Sequence, residues 1–142
     1  MGAKDNLELI EQYQQAVRDQ DRARAGALLA DGVVFRAAGV PRAMGGVIEG
    51  RDAVLDTLGQ AGGRFEAKQV FGDDNNVCVV GKVTASAFPG NAYLRGADKP
   101  YSTYECIVYR IAGGKIAEST AYLNWLDPYV QTGLIDASTF TK

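Results

Sequence analysis

The chain has 142 residues, 15 basic and 17 acidic side chains for a net charge of −2, and no histidine. That length suits one domain able to bury a core without a disulfide or metal staple, and the balanced charge, with no basic run, argues against nucleic acid or an acidic lipid surface as partner. Without histidine, Ser-His-Asp and Cys-His catalysis and nearly every zinc site are excluded, so acid–base chemistry falls to a carboxylate, Tyr, Lys or Cys.

No apolar stretch approaches the ~18 residues that a membrane span needs, and residues 1–6 carry neither the basic cluster nor the apolar core of a secretion signal. The expectation is a cytoplasmic protein. Cys78 and Cys106 lack metal-ligand spacing. A reducing compartment argues against a bridge between them, and both read as small apolar core residues.

Asp5, followed three residues later by Glu8, reads as the cap of a first helix. Leu9, Ile10, Tyr13, Ala16 and Val17 then recur at three- and four-residue spacing and turn one face inward. A second helix is predicted over residues 21–30, stopping at Asp31-Gly32. Residues 33–38 read as a strand, and residues 39–46, with their glycines and Pro41, as an irregular loop placed to border a pocket. Residues 51–58 form a third short helix ending at Gly59, and Gly62-Gly63 breaks the chain ahead of the sheet.

Strands then dominate, over residues 65–71, 77–88, 101–111 and 115–123, with turn chemistry at Gly72 to Asn76, through Pro89 and Pro100, and at Ala112-Gly113-Gly114. Strands joined by short turns should be antiparallel. In the second of them Val77, Val79, Gly81, Val83, Ala85 and Ala87 share one face, opposite Lys82, Thr84 and Ser86. Asp127-Pro128 predicts a closing helical turn capped by Asp127. Helices first and strands after argue for a single α+β domain over residues 1–142.

Several of these pieces, in this order, resemble the nuclear transport factor 2-like superfamily, whose members include SnoaL-type polyketide cyclases, ketosteroid isomerases and limonene epoxide hydrolases. The resemblance rests on the opening helix with Tyr13, on residues 28–35 (LLADGVVF), on Gly50-Arg51-Asp52-Ala53-Val54, and most specifically on Gly114-Lys115-Ile116-Ala117-Glu118 followed by Tyr122-Leu123-Asn124. It implies a strongly curved antiparallel sheet shaped as a cone, with N-terminal helices enclosing a pocket. It also implies a homodimer. Fold does not give function, since this superfamily supports isomerases, hydrolases, dehydratases, cyclases and non-catalytic binders.

The family's usual acids do not carry over. By approximate alignment the isomerase base falls at Ala37 and its second acid at about Ile107, with Tyr13 matching the tyrosine. The epoxide hydrolase base falls at about Ala121, with Ser119 two residues earlier, and the late acid of the cyclases has only Asn124 and Asp127 nearby.

Glu105 is the alternative. It alternates with Tyr101, Thr103, Ile107, Tyr109 and Ile111, and the alignment turns this face toward the cavity, where desolvation raises a carboxyl toward useful acid–base range. A wet-face pairing with Lys82 is the competing reading. Glu105 and Tyr13 are thus the candidate catalytic residues, Tyr13 as an oxyanion donor or as core packing. Arg36, Arg42, Asn124, Tyr101 and Trp125 are the candidate ligand-binding residues: the arginines flank the irregular loop and suit a ligand carboxylate or open solvent. Asn124 suits a ligand carbonyl or a helix cap, and Trp125, with Tyr129, seals the cavity or forms a subunit contact. Two functions follow. One is an acid–base enzyme, of isomerase, cyclase, dehydratase or hydrolase type, on a small apolar or amphipathic molecule without metal or organic cofactor. The other is a non-catalytic ligand-binding or dimeric interaction domain.

Overall fold

The computed structural model describes residues 2–58, 63–88, 90 and 95–142. The expected helix stop at Gly59, the break at Gly62 and the loop at Pro89 lie outside the described residues.

The first helix, α1 (Ala3–Arg18), buries Leu9, Ile10, Tyr13 and Ala16 on one face, as their spacing dictates. Its cap lies three residues earlier than expected. Gly2 is the capping residue, and Asp5 lies inside the first turn, where its carboxylate accepts the Gly2 N–H at 3.0 Å. The second helix, α2 (Arg22–Ala27), is capped by Asp21, whose carboxylate accepts the Arg24 N–H at 3.0 Å.

That second helix ends three residues earlier than expected, because β1 (Leu29–Ala38) claims Leu29 and Ala30. Leu29 is fully buried and sits level with Ile116 of β6 (Lys115–Leu123). Burying two large apolar side chains in one ladder outweighs extending a short helix by one turn. A bulge between Leu29 and Val34 separates this first contact from the regular pairing that follows.

A three-residue strand, β2 (Val47–Glu49), was too short to show alternation in the sequence; it pairs antiparallel with β1 at the sheet edge. Helix α3 (Arg51–Leu55) is shorter than predicted, with residues 56–58 forming a turn. The remaining strands are β3 (Gly63–Gly72), β4 (Asn76–Ala85) and β5 (Tyr101–Ala112). Phe88, expected within the second long strand, instead bridges Ala97 beyond its end.

The six strands lie in the order β2-β1-β6-β5-β4-β3. The neighbours from β3 to β6 are antiparallel, as the short turns require. The β5–β6 turn is possible because Gly113 and Gly114 both adopt left-handed backbone, φ 58 and 72. By contrast β1 runs parallel to β6, so the sheet is mixed; a chain that leaves β1 and returns after four other strands is free of the hairpin constraint. Bulges at Leu29/Val34, Ala67/Gln69 and Arg110/Ile111 bend it.

One sheet face carries α1. Val33, Val77, Val79, Tyr109, Ile111 and Ile116 pack there against Leu9, Ile10, Tyr13 and Ala16. The other face leaves Phe71, Tyr104 and Tyr122 exposed, level with Cys78, Lys82 and Cys106. Cys78 and Cys106, expected in the core, stand half-buried on that outer face, because they alternate with the inward Val77, Val79, Glu105 and Ile107.

The closing helix, α4 (Leu126–Gln131), also corrects expectation. It begins one residue before Asp127, and Asn124 is the residue whose side chain accepts the Asp127 N–H, at 3.4 Å. Pro128 is tolerated at the third position because the N–H it lacks is one of the four that a helix start leaves unpaired anyway.

Candidate functional site

Strand β5 fixes the site's central residue. Glu105 stands level with Gly81 of β4 and Leu123 of β6. Lys82 lies opposite Tyr104 on the other face, so the pairing with Lys82 is not formed. Among the described residues no cation partners the Glu105 carboxylate, and its desolvation pushes the carboxyl from the ordinary 4.5 up to about 7.

Tyrosines flank it on the same face, Tyr101 four residues before and Tyr109 four residues after. Burial raises both hydroxyls, and the charge of Glu105 adds to the effect, taking Tyr109 to about 12 even though a hydrogen bond with the Gln14 side chain pulls the other way. Tyr13 reaches this group from α1. Its ring meets Tyr109 edge-on at 6.1 Å between centroids and Phe35 at 6.3 Å, and burial lifts its hydroxyl far above the usual tyrosine range. The structure therefore joins Tyr13 to Glu105 through Tyr109. Tyr109 shares the face of Glu105 by strand alternation, a pattern visible in the sequence, but only the fold brings Tyr13 against it.

Beyond Glu105, toward the start of β5, Thr103 buries its Oγ1 with no hydrogen-bond partner among the described residues. Tyr101 packs on Phe88 at 5.5 Å, and Phe88 in turn meets Trp125 at 6.2 Å and Tyr129 at 5.2 Å. The Trp125 Nε1 is likewise buried and unpartnered among the described residues. A buried donor and a buried acceptor left open beside one aromatic wall are costly unless something binds them.

The other candidates lie elsewhere. Arg36 is on the outer face, paired with Glu118 at 3.0 Å, and Glu118 also takes Arg110 at 2.9 Å. Arg42 is exposed in a short turn of 3-10 helix (Arg42–Met44) and pairs with Glu49 at 3.1 Å. Asn124 is exposed, and its side chain accepts the Asp127 N–H at the start of α4. The two arginines do not converge on Glu105 because β1 alternates: Phe35 and Ala37 turn inward, Arg36 outward. A groove of about 810 Å³ is separate again, lined by Asn6, Asp74, Asn76, Arg110 and the Ile111–Gly114 turn.

Ala37, Ala121 and Ile107, the positions to which the sequence resemblance assigns the family's acids, form one inward row. Ala37 is level with Ala121, and Ala121 with Ile107. All three are apolar. Glu105 lies one row away on the same face, two residues before Ile107 along β5.

A family model described as a SnoaL-like domain matches residues 10–119. The chain belongs to the SnoaL-like family. Its fold agrees: a SnoaL-like polyketide cyclase candidate from Jannaschia sp. CCS1 superposes with a TM-score of 0.78 at 12% identity, covering 94% of each chain. An epoxide hydrolase from M. tuberculosis, described as LEH-like, gives 0.70 at 16%, covering 92% of this chain and 86% of its own. A ketosteroid isomerase candidate from Kribbella flavida gives 0.65 at 16%, covering 84% and 78%. At such identities the likeness establishes the nuclear transport factor 2-like fold, and residues must be compared singly. No protein of curated function matches the sequence. Among the described residues of this SnoaL-like chain, no group of three Cys, Asp or Glu could hold a metal ion, and no helix is long and apolar enough to cross a membrane.

Proposed function

We propose that this SnoaL-like protein is an acid–base enzyme that binds a small, largely apolar molecule against the inward sheet face and moves a proton with Glu105. The observation that carries this reading is a carboxyl with no cation partner among the described residues, raised by desolvation to about 7, on the same sheet face as the half-buried Tyr101 and the buried Tyr109, with the buried Tyr13 of α1 packed on Tyr109. Near neutral pH both protonation states of Glu105 are populated, which suits a group that takes a proton from carbon or gives one to a leaving oxygen. Tyr13 and Tyr109 stay protonated at that pH and so can donate to an oxygen gaining negative charge. Thr103 Oγ1 and Trp125 Nε1 are open to a polar group on the same ligand.

The test is turnover of a panel of small cyclic enones, epoxides and β-keto compounds by the wild type and by Glu105→Gln. Loss of turnover with retained binding supports the reading; equal rates in both proteins would sink it. A second reading, a binder that carries out no reaction, draws on the apolar row Ala37–Ala121–Ile107. It expects a ligand that binds and is recovered unchanged from wild type and Glu105→Gln alike.

A further inference from the structure

Cys78 on β4 and Cys106 on β5 are 28 residues apart in sequence, yet their Sγ atoms are 3.2 Å apart as free thiols. They are diagonal neighbours: Cys78 stands level with Val108, and Val80 with Cys106. Both face outward, half-buried, on the side of the sheet away from Glu105. A disulfide has an S–S bond of about 2.05 Å, so the sulfurs need approach each other by only about 1.2 Å, within what side-chain rotation and strand shear supply.

We propose that Cys78 and Cys106 form a two-electron oxidation site, closed by a peroxide into a reversible disulfide that ties β4 to β5. The chemistry balances in two steps. One thiolate attacks a peroxide oxygen, the O–O bond breaks, and a sulfenic acid and one water result. The second thiol then attacks the sulfenic sulfur, the S–O bond breaks, and the disulfide and a second water leave. With hydrogen peroxide, two S–H bonds and one O–O bond are lost, one S–S bond and two O–H bonds are gained, and the dithiol passes two electrons to the peroxide.

The surroundings shape when this happens. Burial, then the neighbouring Cys106, push the Cys78 thiol up to about 11, which keeps its thiolate scarce at neutral pH. Attack by Cys78 is therefore slow at neutral pH. Because strand alternation puts Cys106 outward and Glu105 inward, a peroxide reaches the sulfurs without entering the space around the carboxyl.

The experiment treats the full chain with hydrogen peroxide, blocks remaining thiols with iodoacetamide in denaturant, and reads intact mass and peptide maps under non-reducing conditions. The expected product is a monomer two hydrogens lighter, with neither cysteine alkylated, a linked peptide pair containing Cys78 and Cys106, and full alkylation restored by dithiothreitol. Cys78→Ser and Cys106→Ser should instead stop at oxygen adducts of the remaining sulfur. Wild-type protein that gains oxygen on either cysteine without linking them, or links only between chains, overturns the proposal. The wild-type peptide map decides the question even if a serine variant fails to fold.

Discussion

Gly81 stands directly opposite Glu105 in the β4–β5 ladder, and the Phe65 ring occupies the space where a Gly81 side chain would be. A Cβ built on Gly81 falls 2.2 Å from the Phe65 Cζ and 2.8 Å from the Glu66 carbonyl oxygen. The glycine is therefore what lets an aromatic ring lie over the strand beside the acid. Desolvation of Glu105 follows from packing of this kind rather than from any charged neighbour.

Gly81→Ala should destabilise the protein by about 1–3 kcal/mol, the usual cost of overpacking. Urea denaturation checks it. Phe65→Leu in the same chain should recover part of the loss by freeing the ring's space, and only part, because the backbone oxygen of Glu66 is also too close.

The raised Glu105 carboxyl gives stability a defined pH dependence. Below about pH 4.5 it is protonated in both folded and unfolded chains and contributes nothing. Between 4.5 and 7 the unfolded chain ionises while the folded one holds its proton, so the folded state loses stability as pH rises, with the loss complete above about 7. Partial exposure trims the full linkage value, leaving about 2–3 kcal/mol. Glu105→Gln should abolish this slope, matching the wild type at pH 4 and exceeding it at pH 8 in denaturation midpoint. Parallel profiles for the two proteins would place the carboxyl in solvent.

For activity, Tyr13→Phe separates the hydroxyl from the ring. The edge-on contacts with Phe35 and Tyr109 survive that change, so the fold should hold while kcat drops about 10²- to 10³-fold, the usual cost of one lost oxyanion donor. Tyr13→Ala should unfold more readily by about 3–5 kcal/mol, as for other large aromatic truncations in a core. A Tyr13→Phe enzyme with unchanged kcat reduces Tyr13 to packing and leaves Tyr109 as the donor to test.

On the outer face, Arg36→Ala should cost less than about 1 kcal/mol, because its partner Glu118 keeps Arg110 and both pairs are solvent-accessible. Ligand affinity and the stability slope with pH that Glu105 produces should be untouched by it. Loss of binding in Arg36→Ala, measured by calorimetry with any turned-over compound, would move the site to the other side of the sheet.

Periodicity by itself determined a good deal: the buried stripe of α1, the inward row on β4, and the shared face of Tyr101, Glu105 and Tyr109, because a side chain's direction repeats every 3.6 residues in a helix and every two in a strand. The same alternation turns Arg36 away from Phe35 and Ala37, so Arg36 was never placed to clamp a ligand on the inward face. Only tertiary structure decided which rows meet. The parallel pairing of β1 with β6 set Ala37 beside Ala121 and Ile107, and the β4 register matched Glu105 with Gly81 rather than Lys82. It also carried Tyr13 to Tyr109, and Cys78 to Cys106. Those meetings depend on register, bulges and a long-range parallel contact. Such contacts are fixed by the burial of the whole face at once, so no local stretch of sequence encodes them.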